Sequence, residues 1–307
     1  MLKWISFHNI DRAKWDACIQ QCEWGKVYAQ SFFLDQISNH QWEALVWGDY
    51  EVVMPVPNRV KWGIRYCYRP NFCQQLGIFS RNNEITDSQY TAFYSAFFEK
   101  YQHGEYPLNH KNIHLPKSND FKKRTNFILN LQHGYDSISN NYAGDLVNNL
   151  KKAAKAGLEF KTDIPISDVI EVYKGAWQHL NPIPDSEYNQ FANIAEKAIK
   201  NDSGKTFGVY YENNLVAACC TLNFKNRIYY PFSGINELGK KMGATAFMIN
   251  EIIKINAGQN LTLDFEGSDI ESVQYFYGKF RPDNEPYYQI TRRLQLKSAI
   301  KSLLKRW

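Results

Sequence analysis

Residues 261–288, LTLDFEGSDIESVQYFYGKFRPDNEPYY, decide the fold of the second half of the chain. The first five of them alternate apolar and polar side chains, which is the period of a half-buried strand. This strand ends at Gly267, and Ser268 with Glu271 three residues later forms a capping box, which predicts the start of a helix. Because ligands in α/β folds often bind where strands end, we expect a ligand site at this junction.

The side chains of Asp264, Glu266 and Tyr277 are candidates for acid–base chemistry at the junction. The two carboxylates lie at the end of the predicted strand, and Tyr277 follows Ile270 and Val273 on the apolar face of the predicted helix. A carboxylate in an apolar cleft can have its pKa raised toward neutrality, where it can serve as a base. The alternative is structural: the carboxylates then cap or orient backbone groups, and Tyr277 belongs to the core.

The sequence DFEGS, followed by FYGKF at residues 276–280 and then by PYY, resembles the C-terminal part of the GNAT acyltransferase superfamily. It is most similar to the CelD/BioF-like and Fem-like branches, which often consist of two tandem GNAT-like domains. The resemblance implies an α/β (α+β) fold in which each domain has a mixed, largely antiparallel sheet flanked by helices. It also implies transfer of an acyl group from acyl-CoA, a co-substrate rather than a permanently bound cofactor, to an amine.

The same resemblance implies that Tyr277 is the acid that protonates the leaving thiolate. Acyl transfer also needs a deprotonated amine, and Glu266 or Asp264 is the candidate base or anchor for that amine. These three residues are our candidate catalytic residues.

A second part of the expected site precedes a predicted helix over residues 244–255. The amide groups at the start of a helix and nearby lysine side chains favour an anion. In GNAT enzymes this strand, loop and helix bind the pyrophosphate of coenzyme A through a Q/R-x-x-G-x-G/A loop, which residues 240–245, KKMGAT, resemble. The alternative is a helix start that is only hydrated. The candidate donor-binding residues are Ser233, Gly234, Lys240, Gly243, Ala244 and Thr245.

The chain of 307 residues has the length of two domains, and the order of predicted elements is similar in its two halves. The first half has a helix capped by Asp11, a hairpin, a helix capped by Thr86 with Gln89, and a closing strand at residues 127–131. We predict an N-terminal GNAT-like domain over residues 1–135 and a C-terminal one, carrying the site, over residues 136–307. The candidate acceptor-binding residues are Arg65, Tyr68, Gln74 and Tyr230.

Composition excludes several classes of protein. An apolar fraction of 44% and an aromatic fraction of 15% are those of a packed globular protein, not of a disordered one. No apolar run has the length of a signal peptide or of a transmembrane segment, so we expect a cytoplasmic protein. The six cysteines lack the spacing of a metal site and are expected to be buried and reduced.

Basic clusters leave a second enzymatic hypothesis open. Residues 150–158, LKKAAKAGL, resemble the basic helix that begins the second domain of Fem-type peptidoglycan aminoacyltransferases. That resemblance implies aminoacyl-tRNA as the donor, with tRNA as a partner, and a peptidoglycan-precursor-like acceptor in place of another small-molecule amine. DNA is not expected. A third hypothesis is a non-catalytic GNAT-fold binding module, and the basic amphipathic tail from Arg292 to Arg306 is expected to pack on its own domain.

Overall fold

The computed structural model describes residues 1–180, 182–267 and 269–292, which form two compact units. The first unit consists of Met1–Pro70, Gln75–Lys123 and the C-terminal segment that begins at Tyr287. The second unit consists of Asn71–Gln74 and Arg124–Pro286. Ser268 and the predicted tail beyond Arg292 lie outside the described residues.

Helices and strands are mixed along the chain. Up to residue 130 they are β1 (Leu2–Ile5), α1 (Arg12–Gln21), α2 (Ser31–Ile37), β2 (Trp42–Trp47), β3 (Val52–Lys61), β4 (Ile64–Cys67), β5 (Phe79–Ser80), α3 (Asp87–Lys100), β6 (Gly104–Pro107), β7 (Phe121–Arg124) and β8 (Phe127–Asn130). From residue 135 they are α4 (Tyr135–Ser139), α5 (Gly144–Lys155), β9 (Glu159–Thr162), α6 (Ile166–Trp177), α7 (Asp185–Lys200), β10 (Gly204–Tyr211), β11 (Asn214–Phe224), β12 (Arg227–Ile235), α8 (Glu237–Met242), α9 (Ala244–Asn256), β13 (Thr262–Asp264), α10 (Glu271–Gly278), β14 (Asp283–Asn284) and β15 (Tyr287–Arg292). Among the described residues, no helix has the length and hydropathy needed to cross a bilayer.

The strands form two sheets. The first has the order β1-β2-β3-β4-β6-β15-β7, with β5 also paired to β3, and the second has the order β14-β8-β13-β12-β11-β10-β9. Most neighbours are antiparallel, whereas β4 and β6, and β12 and β13, are parallel. The predicted fold class, mixed and largely antiparallel sheets flanked by helices, is confirmed.

The division into units differs from the boundary predicted at residue 135. Strand β8, predicted to close the first half, pairs with β13 in the second sheet. Conversely, β15 pairs with β6 in the first sheet, although it follows all elements of the second unit. Pairing between strands so distant in sequence leaves no signal in the local sequence. A domain boundary predicted from local composition therefore cannot take these pairs into account.

Local helix signals are reproduced. The side chain of Asp11 accepts a hydrogen bond from the Lys14 amide at the start of α1. Thr86 and Gln89 form the predicted capping box at the start of α3. These two predictions are confirmed, because capping depends only on residues within one turn.

Helices cover both faces of the second sheet. α5 and α9 contribute Leu146, Met248 and Ile252 to an apolar core that also contains Cys219 of β11. Cys220, the next residue of β11, points to the opposite face of the sheet. There Phe232, which pairs with Cys220, stacks on Phe191 of α7 with ring centroids 4.5 Å apart.

All six cysteines are free and buried, which confirms their predicted state. Burial raises the pKa of the Cys18 thiol to about 12, and that of Cys220 likewise. Thiols with such pKa values are almost wholly protonated at neutral pH, so they act as small apolar side chains rather than nucleophiles.

Candidate active site

The parallel strands β12 and β13 separate after a short paired stretch. Their register runs from the pair Arg227 and Thr262 to the pair Tyr229 and Asp264. β12 then continues to Ile235, whereas the chain after Asp264 turns toward α10. On this edge, the backbone groups of β12 beyond Tyr229 therefore face a gap rather than β13.

A β-bulge in β12 resets the direction of the side chains at the gap. The register with β11 shifts between Cys220, which pairs with Phe232, and Leu222, which pairs with Tyr229. The additional residue in β12 lets Tyr230 join the core formed with α5 and α9, although Phe232 two residues later faces α6 and α7. Burial raises the pKa of the Tyr230 hydroxyl well above its ordinary value.

The gap opens into a cleft of about 600 Å³ within the second unit. Its walls come from β12, the turn after β13, α10, the start of α9, and the helices α5 and α6. Aromatic and aliphatic side chains provide much of the lining, with a few polar groups among them, as is usual for small-molecule sites. The lining residues are Asn149, Tyr173, Trp177, Tyr230, Pro231, Ser233, Gly234, Ile235, Lys240, Gly243, Thr245, Ala246, Phe265, Glu266, Ile270, Ser272, Val273, Phe276 and Tyr277.

The structure brings together most of the site residues predicted from the second half of the chain. Those that line the cleft are Tyr230, Ser233, Gly234, Lys240, Gly243, Thr245, Glu266 and Tyr277. Ala244 is fully buried and is not part of the lining. These side chains share one cavity, whereas their chemical roles stay predictions.

Gly243 connects α8 to α9 and lies at the cleft. Its φ of 72° is in the left-handed region, which glycine adopts without strain. Within the described part of the chain no side chain caps α9, so the amide groups of its first turn are available to an anion. The sequence predicts a loop between β12 and α9, and this is wrong. Asn236 instead caps the short helix α8 by accepting a hydrogen bond from the Gly239 amide at 2.8 Å.

Tyr277 lies on α10 at the other end of the cleft. Its ring packs against Phe265 with centroids 5.0 Å apart. Burial raises the pKa of its hydroxyl well above the ordinary value, and the negative charge of Glu266 raises it further. The hydroxyl is therefore protonated at neutral pH, which suits a proton donor.

Helix α10 begins later than the sequence predicts. Its first residue is Glu271, and its N-cap is Ile270, which has no side-chain capping hydrogen bond. The N-cap of the helix is thus not the predicted Ser268, which itself lies outside the described residues. Tyr277 nevertheless lies on this helix, as predicted.

Glu266 is held in a strained turn beside Tyr277. Its φ is 52°, a left-handed conformation that is uncommon for residues other than glycine. Its amide donates to Oδ1 of Asp264 at 3.0 Å, and the amide of Gly267 donates to Oδ1 of Asn126 at 3.0 Å. A Cβ at Gly267 would lie 2.8 Å from Cα of Asn126, so only glycine fits there. Strain maintained by such contacts is typical of functional turns.

Asp264 is buried beneath the cleft and does not line it. Its Oδ2 accepts a hydrogen bond from Nη1 of Arg227 at 2.7 Å. Arg227 also makes two hydrogen bonds of 2.8 Å to the carboxylate of Glu285. Asp264 thus has a structural partner, and Glu266 is the candidate base that the geometry favours.

The residues predicted to bind the acceptor do not all reach this cleft. Arg65 and Tyr68 belong to the first unit, where Arg65 donates to Oδ1 of Asn58 at 3.2 Å. Gln74 belongs to the second unit, but it is buried and donates to Oδ1 of Asn126 at 2.9 Å. Of the acceptor-binding candidates, Tyr230 lines the cleft.

Two aromatic residues of α6 that are not among the predicted site residues also line the cleft, Tyr173 and Trp177. The indole N–H of Trp177 donates to the Ser233 carbonyl at 2.9 Å. A Cβ at Gly234 would lie 2.6 Å from the backbone of Tyr173, so α6 lies directly against β12. Tyr173 and Trp177 are four residues apart, a spacing that places two side chains on one face of a helix. Aromatic pairs with this spacing are more often core residues than site residues.

Comparisons with known proteins relate this arrangement to solved structures. No family model and no curated protein sequence matches the chain. FemX aligns with a TM-score of 0.63 at 11% identity over 94% of this chain and 95% of its own. L-PGS from Bacillus licheniformis aligns with a TM-score of 0.57 at 10% identity, over 96% of each chain. A tandem GNAT protein from the clavulanic acid biosynthesis pathway aligns with a TM-score of 0.52 at 9% identity, over 95% of this chain and 99% of its own. The chain therefore has the tandem GNAT-like fold that these Fem-like and GNAT structures share.

Proposed function

We propose that the second unit catalyses N-acyl transfer from acyl-CoA to a small-molecule or peptidoglycan-precursor-like amine. The observation that carries this proposal is the gap between β12 and the turn after β13. It opens beside the uncapped start of α9 and extends to Tyr277. The gap supplies a strand edge that β13 does not cover, along which an extended thioester carrier can lie, and the helix start supplies amides for its phosphates.

The proposed reaction joins the amine nitrogen to the carbonyl carbon of the thioester, and the C–S bond breaks. Glu266 accepts the proton that the amine loses, directly or through a water. Tyr277 gives its hydroxyl proton to the leaving thiolate. The position of Tyr277 in the cleft supports this assignment, and its raised pKa means that the hydroxyl carries its proton at neutral pH.

Donor binding is tested by a matched pair of charge reversals on α8. Both lysines are exposed, but Lys240 lines the cleft and the neighbouring Lys241 does not. We expect Lys240→Glu to weaken the binding of coenzyme A by about tenfold, because the new carboxylate repels the donor phosphates. Isothermal titration calorimetry with coenzyme A and acetyl-CoA measures the change.

The control variant is Lys241→Glu, which changes the net charge equally and is expected to leave the dissociation constant nearly unchanged. Equal weakening by both variants would mean that the effect is one of overall charge. No heat of binding with the wild-type protein at high concentration would refute acyl-CoA as the donor.

A second candidate donor is aminoacyl-tRNA, as in Fem-type enzymes. The observation that favours it is a basic surface on α5, where Lys151, Lys152 and Lys155 are exposed. The same helix carries Asn149, which lines the cleft. The lysines are thus placed to contact phosphates of an RNA whose acylated end enters the cleft.

The tRNA hypothesis predicts a salt-sensitive complex. A gel shift with total tRNA should show binding that weakens steeply as salt increases, and replacing all three lysines with glutamate should abolish it. A variant with Lys197, Lys200 and Lys205 replaced by glutamate has the same change in charge on other surfaces of the second unit and is the control. No shift at low salt would remove this candidate and leave acyl-CoA.

A further inference from the structure

The turn between β3 and β4 presents Trp62 to solvent. The register pairs Lys61 with Ile64, which leaves Trp62 and Gly63 as a two-residue turn. Their φ angles are 53° and 75°, both positive as in a type I′ turn. The Trp62 side chain is 88% exposed.

Trp62 is unfavourable at this position for two independent reasons. Type I′ turns favour asparagine, aspartate or glycine, because a bulky residue with positive φ is strained. The exposure of the indole shows that packing within the chain does not compensate for this strain. A large aromatic residue that neither the backbone nor the core favours indicates a role outside the fold.

The neighbours of Trp62 are apolar and basic. Residues 59–65, RVKWGIR, form what we call the hairpin tip, and they include three basic residues and no acidic one. Val60 is 59% exposed and Ile64 is 43% exposed, and by the register they lie on opposite faces of the hairpin, so apolar side chains flank the turn on both sides. The ammonium group of Lys61 lies 4.7 Å from the centre of the indole ring. Positive charge and apolar surface are thus combined at one protruding turn.

We infer that the hairpin tip binds the surface of a bilayer that contains anionic phospholipids. An indole ring favours the level of the headgroups, since its apolar body and its N–H are then both accommodated. Val60 and Ile64 add apolar area on the two faces of the hairpin next to the turn. The basic residues are attracted by the negative surface potential of anionic lipids.

The chemistry of the tip favours a bilayer over a protein or an RNA. A stable protein interface buries about 800 Å² on each partner, which is more than a seven-residue turn offers. Single-stranded RNA gains from stacking on an aromatic ring, but exposed aliphatic side chains contribute little to it. A bilayer accepts all three apolar side chains and the basic residues together.

The test is cosedimentation of the full chain with vesicles of phosphatidylcholine alone or mixed equally with phosphatidylglycerol. We expect the wild type to bind the anionic vesicles and Trp62→Ala to lower the partition coefficient at least about tenfold. Lys61→Glu should lower it about fivefold, and binding should weaken as salt increases. The control is Ile113→Ala, which removes an exposed aliphatic side chain elsewhere in the first unit and should change nothing.

A second variant separates lipid binding from folding. Trp62→Asn places a residue that tolerates positive φ in the turn, so we expect an equal or higher Tm together with the same loss of vesicle binding. Wild-type partitioning of Trp62→Asn would overturn the inference. So would equal binding to neutral and anionic vesicles by all variants, or a loss of tRNA binding in Trp62→Ala without a loss of vesicle binding.

Discussion

Replacing Tyr277 with phenylalanine is expected to lower kcat for acyl transfer by about 10²–10⁴-fold, the range for loss of a general acid. The ring still packs against Phe265, so the dissociation constant for acyl-CoA and the free energy of unfolding should change little. The expected signature is therefore a lower kcat with unchanged donor binding. Steady-state kinetics and calorimetry on the same preparation measure the two quantities.

The matched control is Tyr275→Phe. Tyr275 lies on the same helix but is exposed and does not line the cleft, so removal of its hydroxyl should leave kcat unchanged. If both variants retain full activity, Tyr277 is not the acid. If acyl-CoA binds but neither the wild type nor the variant transfers the acyl group to any amine, the protein is a non-catalytic binding module.

The direction of the pKa shift also predicts the pH dependence. The ordinary pKa of a tyrosine is 10, and that of Tyr277 is raised above it. The acid thus stays protonated as the pH rises through 10, and kcat should show no decline from this group below about pH 10. A fall in kcat with a midpoint near pH 8 that disappears in Tyr277→Phe would contradict the shift.

Replacing Arg227 with methionine is expected to destabilise the second unit by about 3–5 kcal/mol. The arginine is the partner of Asp264, which is fully buried, and of Glu285, which is largely buried. The replacement leaves the charge of Asp264 without compensation in a site that excludes water. Urea denaturation followed by circular dichroism gives the free energy of unfolding.

Two further variants show whether the effect comes from the buried charge. The double variant Arg227→Met with Asp264→Asn removes the stranded charge and should recover part of the loss. Lys14→Met breaks the exposed pair of Lys14 with Asp49 and should leave stability almost unchanged. A loss in Arg227→Met no larger than that in Lys14→Met would show that the buried pair contributes little.

The sequence predicts features that depend on a few neighbouring residues. The caps at Asp11 and Thr86 follow from side chains within one turn, and both are present. The aromatic residues of α3 are largely core, as their helical spacing indicates. The predicted strand and the helix that carries Tyr277 are also present, although the strand ends at Asp264 and the helix begins at Glu271.

Features that depend on contacts between residues distant in sequence could not be predicted from local patterns. The exchange of β8 and β15 between the sheets needs pairings across the whole chain. The position of α6 against Gly234 depends on the missing Cβ of one residue and the backbone of another. For the candidate site, the residues from β12 onward that line the cleft are therefore largely predicted, whereas Tyr173 and Trp177 are not.

The position of β15 between β6 and β7 affects how the protein folds during its synthesis. A ribosome releases Tyr287 only after it has translated every element of the second unit. Until then a nascent chain exposes the hydrogen-bonding edge of β6, a template for unwanted pairing with other chains. A stop codon between β14 and β15 is thus expected to leave the first sheet without one of its strands.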